Sequence, residues 1–201
     1  MYASEQTRAD VVVAREAWRH WAPTVDPAHL VFLDESGVTT QLLRRYGRSL
    51  RGTRVLDYAP CGLWQTSTFL AALRVEGVTA PAVFDGPIDG DSFLAYIEQG
   101  LAPTLRVGDI VILDNLNCHK VAGVAEAIAA RGATLKYLPP YSPDFNPIEL
   151  LFSKLKAWLC AARCRTRAAI DVALTACLPR FVAPECAGYF RHCGYGDTTR
   201  S

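Results

Sequence analysis

Residues 138–156 read "LPPYSPDFNPIELLFSKLK", a stretch holding four prolines that then opens a helix. Asn146 and Pro147 form a good N-cap and first-residue pair. Behind them Ile148, Leu151, Phe152, Leu155, Trp158 and Leu159 recur at helical spacing and define one buried stripe. The pattern predicts a helix from Asn146 to about Ala161. Glu149 falls at its third position, where "NPIE" resembles a capping box with Asn in place of Ser or Thr. It sits about 100° around the helix from Ile148, at the flank of the stripe and within reach of strand ends. Two roles are open to it: a cap, or a metal ligand.

Working outward, "ATLKYLP" (133–139) reads as the strand that feeds this stretch. Upstream, "VAGVAEAIAAR" (121–131) reads as a helix, with Gly132 suited to its C-terminal cap. "GDIVILDN" (108–115) and "LVFLDES" (30–36) read as buried strands that end in polar residues. "GPIDGDSF" (86–93) is turn chemistry followed by a helix over roughly 91–102. "TRVLDYAP" (53–60) and "WQTSTFLAAL" (64–73) read as two further strands, joined as a hairpin around Pro60 and Gly62. Residues 5–21 look helical, and the tail 166–192 carries one or two more helices. Strands interleaved with helices predict an α/β layer fold, a mixed sheet with helices on its faces. The expected organisation is a helical lead-in (1–29), a sheet-bearing unit (30–165) and a helical tail of the same domain (166–201).

The chain has 201 residues, half of them hydrophobic, enough for a sizeable core. Its net charge is +1, so nucleic-acid binding must rest on local clusters. Of its 21 basic residues 17 are Arg, the side chain shaped for bidentate phosphate contacts. No apolar run approaches the ~18 residues of a membrane span, and the first ten residues show no signal pattern. The chain reads as cytoplasmic. Seven scattered cysteines fit reduced thiols. Cys160, Cys164, Cys186, His192 and Cys193 match no standard zinc spacing, and the cysteines among them read as buried thiols.

Asp34 follows "LVFL" and Asp114 follows "IVIL". A carboxylate ending a buried apolar strand is costly unless paired, hydrogen-bonded or metal-bound. On parallel neighbouring strands both would emerge at one sheet edge, where a divalent cation removes their repulsion. With Glu149 they make three hard oxygen donors, a set suited to Mg2+ or Mn2+. Two such ions about 4 Å apart suit phosphodiester cleavage or transfer. Asp85, Asp89 and Asp91 compete as ligands but fit a turn and helix cap better. Ser36 lacks the bracketing glycines of a nucleophile elbow.

"VFLDES", "ILDNLNCHK" and the proline-rich stretch, in that order, resemble the DDE-type transposases of bacterial insertion sequences in the mariner superfamily. The 34 residues between Asp114 and Glu149 match that family's spacing. The tail "PECAGYFRHCGY" is similar too. The resemblance implies a ribonuclease H-like fold, a mixed five-stranded sheet flanked by helices. It implies that Asp34, Asp114 and Glu149 are the catalytic, metal-binding triad for two Mg2+ (or Mn2+) ions. Cleavage at transposon ends would expose 3′ hydroxyls that attack target DNA. Asn115 and His119 match further motif positions: Asn115 as a residue orienting Asp114, His119 as a DNA-facing or satisfied structural histidine. Cys61 and Cys118 stand where the family pattern has a histidine and a small residue. The family also implies a synaptic homodimer and upstream helix-turn-helix modules, supplied by another segment or chain.

"RRYGRSLRGTR" (44–54) places Arg44, Arg45, Arg48, Arg51 and Arg54 between the first two predicted strands without an acid. It is the expected DNA-contacting surface; "RCRTR" (163–167) is a weaker second patch. The alternatives are an inactive or regulatory transposase fragment that binds DNA or a partner chain, and another ribonuclease H-like nuclease.

Overall fold

The computed structural model describes residues 4–43, 46–56, 58 and 64–196. Five strands form one mixed sheet: β1 (Leu30–Thr39), β2 (Thr66–Arg74), β3 (Gly77–Asp85), β4 (Ile110–Leu113) and β5 (Thr134–Tyr137), in the order β3-β2-β1-β4-β5. β1 runs antiparallel to β2 and β2 to β3, whereas β4 is parallel to both β1 and β5. The parallel half needs helical crossovers, and the antiparallel half is a meander.

Helices cover both faces, which is why the central strands read as unbroken apolar runs. On one face Leu30, Phe32, Phe69, Ala71, Leu73 and Ile112 pack against α1 (Ala9–Trp21), α4 (Pro147–Ala162), α5 (Arg167–Cys177) and α6 (Ala183–His192). On the other, Val31, Leu33, Leu70, Ala72, Val111 and Leu113 meet α2 (Gly90–Tyr96), the turn that follows it and α3 (Val124–Ala129). The stripe expected on α4 is buried at Ile148, Leu151, Phe152, Leu155 and Leu159, with Trp158 packed at its margin. The C-cap of α3 is Ala130 and not Gly132, which lies two residues beyond it and turns the chain at φ +71°, in the left-handed region that favours glycine.

The antiparallel hairpin differs from expectation. It is β2–β3, turning at Val75 and Glu76, and not a pair at 53–60 and 64–73. Residues 53–56 and Tyr58 lie outside any strand, in the long connection from β1 to β2. The other residues of the expected 53–60 strand and its turn, Pro60 and Gly62 included, lie outside the described residues. β3 escapes sequence reading because Pro81 interrupts it; proline is tolerated there because β3 is an edge strand.

Two buried polar clusters lock this frame. Arg74, at the end of β2, pairs with Asp109, just before β4, at 2.5 Å, and both are buried. On the far side, Trp18 of α1 donates its indole N–H to Tyr195, whose hydroxyl donates to the Phe145 carbonyl, both at 2.7 Å.

Candidate active site

β1 and β4 pair in parallel at Leu30–Ile110, Val31–Val111 and Phe32–Ile112. Two residues further on, the same register brings Asp34 and Asp114 side by side: Asp114 follows the last residue of β4, whereas Asp34 lies midway along β1, which does not end in polar residues at 34–36 as expected but runs on to Thr39 beside β2. α4 starts beside them. Asp34, Asp114 and Glu149 line one cleft of about 440 Å³, together with Asn115, Leu138–Pro140 and Asn146. The three acids that the sequence singles out therefore line one cleft, although their oxygens do not all lie within 4.8 Å of one another.

The proline-rich lead-in fixes where α4 begins. Arg15 of α1, only 6% exposed, donates to Ser142 Oγ at 2.7 Å and to both carboxylate oxygens of Asp144 at 2.8 and 2.6 Å. Its guanidinium also lies 4.5 Å over the Phe145 ring. With the Tyr195 bond to Phe145, this holds the segment from both ends of the chain.

Asn146 occupies the N-cap position of α4, with Pro147 as the first helical residue, but its side chain does not cap the helix. It makes no side-chain cap bond; its amide Nδ2 donates to Asp34 Oδ2 at 2.8 Å instead. The other Asp34 oxygen accepts from the Glu35 amide at 2.8 Å. The capping-box reading of "NPIE" is thus corrected, and Asn146 is a site residue that sequence reasoning placed only as a cap.

The electrostatics are those of crowded acids. Asp34, 7% exposed, has its pKa pushed up to about 8 by burial first, then by Glu35, Asp114 and Glu149. Glu149 is raised by partial burial and by Asp114, against the opposing pull of Lys156. For Asp114 burial works upward, but His119, the Leu116 amide and Lys120 outweigh it and hold the carboxyl below its usual range.

His119 is completely buried and does not face outward toward DNA. Its Nε2 donates to Glu35 Oε2 at 2.9 Å. Its Nδ1 lies 2.7 Å from Asp114 Oδ1, a charge contact without regular hydrogen-bond geometry. Burial lowers the His119 pKa, but the two carboxylates prevail and lift it to about 10, so it is an imidazolium. Asn115 does not orient Asp114: its side-chain amide donates to the Leu138 carbonyl.

The remaining candidates separate. Asp89 caps α2 by accepting from the Ser92 amide, and Asp85 pairs with Arg167 at 2.6 Å. Arg48, Arg51 and Arg54 are exposed in the β1–β2 connection. Arg44 and Arg45 lie outside the described residues. Among the described residues Cys160, Cys164, Cys186 and Cys193 form no metal-binding group; Cys186 and Cys193 are buried thiols, whereas Cys160 and Cys164 are only half-buried, contrary to expectation.

Three oxygen acids at one sheet end can hold a hard divalent cation, which would offset their mutual repulsion. A family model of the DDE superfamily endonucleases matches residues 29–171. No curated protein matches the chain. Among solved structures, the Mos1 strand transfer complex superposes with a TM-score of 0.78 at 14% identity, over 96% of this chain and 60% of that one. The mariner Mos1 paired end complex with Mg gives 0.73 at 13%, over 96% and 62%. The catalytic domain of Mos1 mariner transposase gives 0.67 at 11%, over 96% and 91%. The chain thus spans about three fifths of the length of the Mos1 chains in the complexes, and nearly all of the isolated domain.

Proposed function

Because the chain belongs to the DDE superfamily endonucleases, we propose that it is the catalytic domain of a DNA transposase. In this reading it hydrolyses DNA at transposon ends and joins the exposed 3′ hydroxyls to target DNA. Asp34, Asp114 and Glu149 are its catalytic acids and the ligands of two Mg2+ or Mn2+ ions. The observation that carries the reading is their convergence in one cleft, with Asp34 pushed up to about 8 by its buried, acid-rich surroundings. Such a site is unfavourable for anions alone and favourable for a divalent ion among hard oxygens. The Mos1 complex named for Mg supports the choice of metal.

When bound, the metal would polarise the phosphodiester and acidify the attacking water or 3′ hydroxyl. The chain's own residues do the positioning. Asn146 and the Glu35 amide each engage one oxygen of Asp34 and fix the carboxylate plane. His119 holds one oxygen of Asp114 at 2.7 Å. The rigid start of α4 presents Glu149. Preorganised carboxylates spare the site reorganisation during the reaction.

Arg48 and Arg51, with Arg44 and Arg45, supply the phosphate-contacting surface in this proposal. The partners are transposon-end and target DNA, a second copy in a synaptic dimer, and an upstream helix-turn-helix segment or chain. The Mos1 paired end complex supports the paired arrangement.

The test supplies Mg2+ or Mn2+ and a duplex ending in the terminal repeats that flank the reading frame, with and without the upstream segment. Glu149→Gln keeps the shape and removes the charge. Loss of a metal ligand should remove several kcal/mol of transition-state stabilisation, on the order of a thousand-fold in cleavage rate. Calorimetric Mn2+ affinity should fall in the same variant. Cleavage by the variant at the wild-type rate would remove Glu149 from the site. Mn2+ binding without cutting in any combination would make the chain a non-cutting fragment.

A further inference from the structure

The sheet end that carries the acids has a second set of donors on its other face. Successive strand residues point to opposite faces, so Glu35 turns away from Asp34 and the α4 side. There it meets His119, whose ring lies 4.5 Å from that of Phe93 of α2, tilted by 31°. Glu35, Cys118 and His119 each offer one donor atom, and all three atoms lie within 4.8 Å of one another. Among the described residues no other set of three such groups comes as close.

The donor chemistry differs from that of the cleft. Three carboxylates suit Mg2+ or Mn2+, whereas a thiolate and an imidazole beside one carboxylate select softer ions of the zinc class. We propose that Glu35, Cys118 and His119 form a zinc-class metal site, distinct from the carboxylate cleft and joined to it through His119.

Two further observations support the assignment. A metal-ligating histidine characteristically turns its other ring nitrogen to a carboxylate, which sets the tautomer and orientation. His119 does this already: Nε2 faces Glu35 and the proposed ion, and Nδ1 faces Asp114 at 2.7 Å. The loop is also anchored. The Tyr137 hydroxyl donates to the His119 carbonyl at 3.0 Å, and the His119 amide to the Leu116 carbonyl at 3.1 Å. The donors therefore sit on a held backbone, and a tetrahedral ion would draw them in to roughly 2.0–2.3 Å by side-chain rotation.

Ligation balances simply. The ion takes the place of the proton between His119 Nε2 and Glu35 Oε2. That proton and the Cys118 thiol proton leave to buffer, and water completes the fourth position. An ion here stands one imidazole away from Asp114, so occupancy must change the affinity of the carboxylate cleft for its own cation. By linkage the reverse effect is equal.

Co2+ is the probe, because thiolate ligation gives it a charge-transfer band that oxygen ligation does not. One equivalent should saturate the band, and Zn2+ but not a large excess of Mg2+ should abolish it. Cys118→Ser should lose the band with its circular dichroism intact, and Glu35→Gln should weaken Co2+ binding roughly tenfold or more. Cys160→Ser, Asp34→Asn and Glu149→Gln should keep it. No band in the folded wild type, or a band that survives Cys118→Ser, overturns the proposal. The readout requires no DNA cleavage, so it stands or falls apart from the transposase reading.

Discussion

At Asp34 burial and neighbouring charge act in the same direction, and the consequence is a measurable proton. Its folded pKa of about 8 stands far above the ordinary 3.8. Between these values the folded protein holds a proton that the unfolded chain releases. The stability it contributes is fully present at pH below the unfolded value and is lost as pH rises toward about 8. The metal-free protein should lose stability from pH 5 to 8, with Asp34 supplying a slope of up to about 1.4 kcal/mol per pH unit. Denaturant titrations at several pH values check this: Asp34→Asn should flatten the slope, and saturating Mn2+ should flatten it in the wild type. An unchanged slope in the variant would show that Asp34 ionises normally. Apparent Mn2+ affinity should climb over the same interval, since the ion must displace that proton. Asn146 belongs to the same account. Asn146→Ala removes the donor to Asp34 Oδ2 and should lower Mn2+ affinity and cleavage together by about 10- to 100-fold, as loss of a residue that orients a ligand does.

At the scale of elements, the sheet is pinned at the end remote from the acids by the buried Arg74–Asp109 pair. Asp109 also accepts from the Arg106 amide at 2.7 Å, so one carboxylate ties β2 to the turn that launches β4. Arg74→Ala would strand Asp109 as a buried, poorly compensated charge. It should cost about 3–5 kcal/mol in chemical denaturation, whereas the exposed Arg106–Glu76 pair should cost less than about 1 kcal/mol. The strands carrying Asp34 and Asp114 were legible because an acid after four buried apolar residues is costly without a purpose. α4 was legible from its stripe and from Asn146–Pro147. β3 was not, because a Pro-containing edge strand lacks the signals of a central one. The 53–60 segment misled for the opposite reason: Val55, Leu56 and Tyr58 have strand-like chemistry, yet they stand exposed in a connection. Propensity describes what a segment tolerates, and pairing decides what it becomes.

For the molecule as a whole, the contacts that no local pattern encodes are the ones that complete the site. Asn146 reaching Asp34, and His119 linking Glu35 to Asp114, span 112 and 84 residues of sequence. They arise only from the sheet order. The DNA-contacting role proposed for the exposed arginines of the β1–β2 connection is tested at this scale too. Replacing Arg48 and Arg51 with Ala should reduce the slope of log affinity against log salt by about 2, with little change in stability. Fluorescence anisotropy across a salt series measures it.

The Trp18–Tyr195–Phe145 relay has a consequence in time. Tyr195 lies 46 residues after Glu149, and its hydroxyl ties the lead-in of α4 to the first helix. At roughly 5–20 residues per second, a nascent chain spends several seconds with all three acids synthesised but the last tether missing. Until Tyr195 has been made, the lead-in of α4 lacks the hydrogen bonds that join it to the first helix. Tyr195→Phe leaves the indole and the Phe145 carbonyl without a partner and should cost about 2–4 kcal/mol. In pulse proteolysis of arrested chains, those ending before Tyr195 should be cleaved within 139–147, while those extending past it resist.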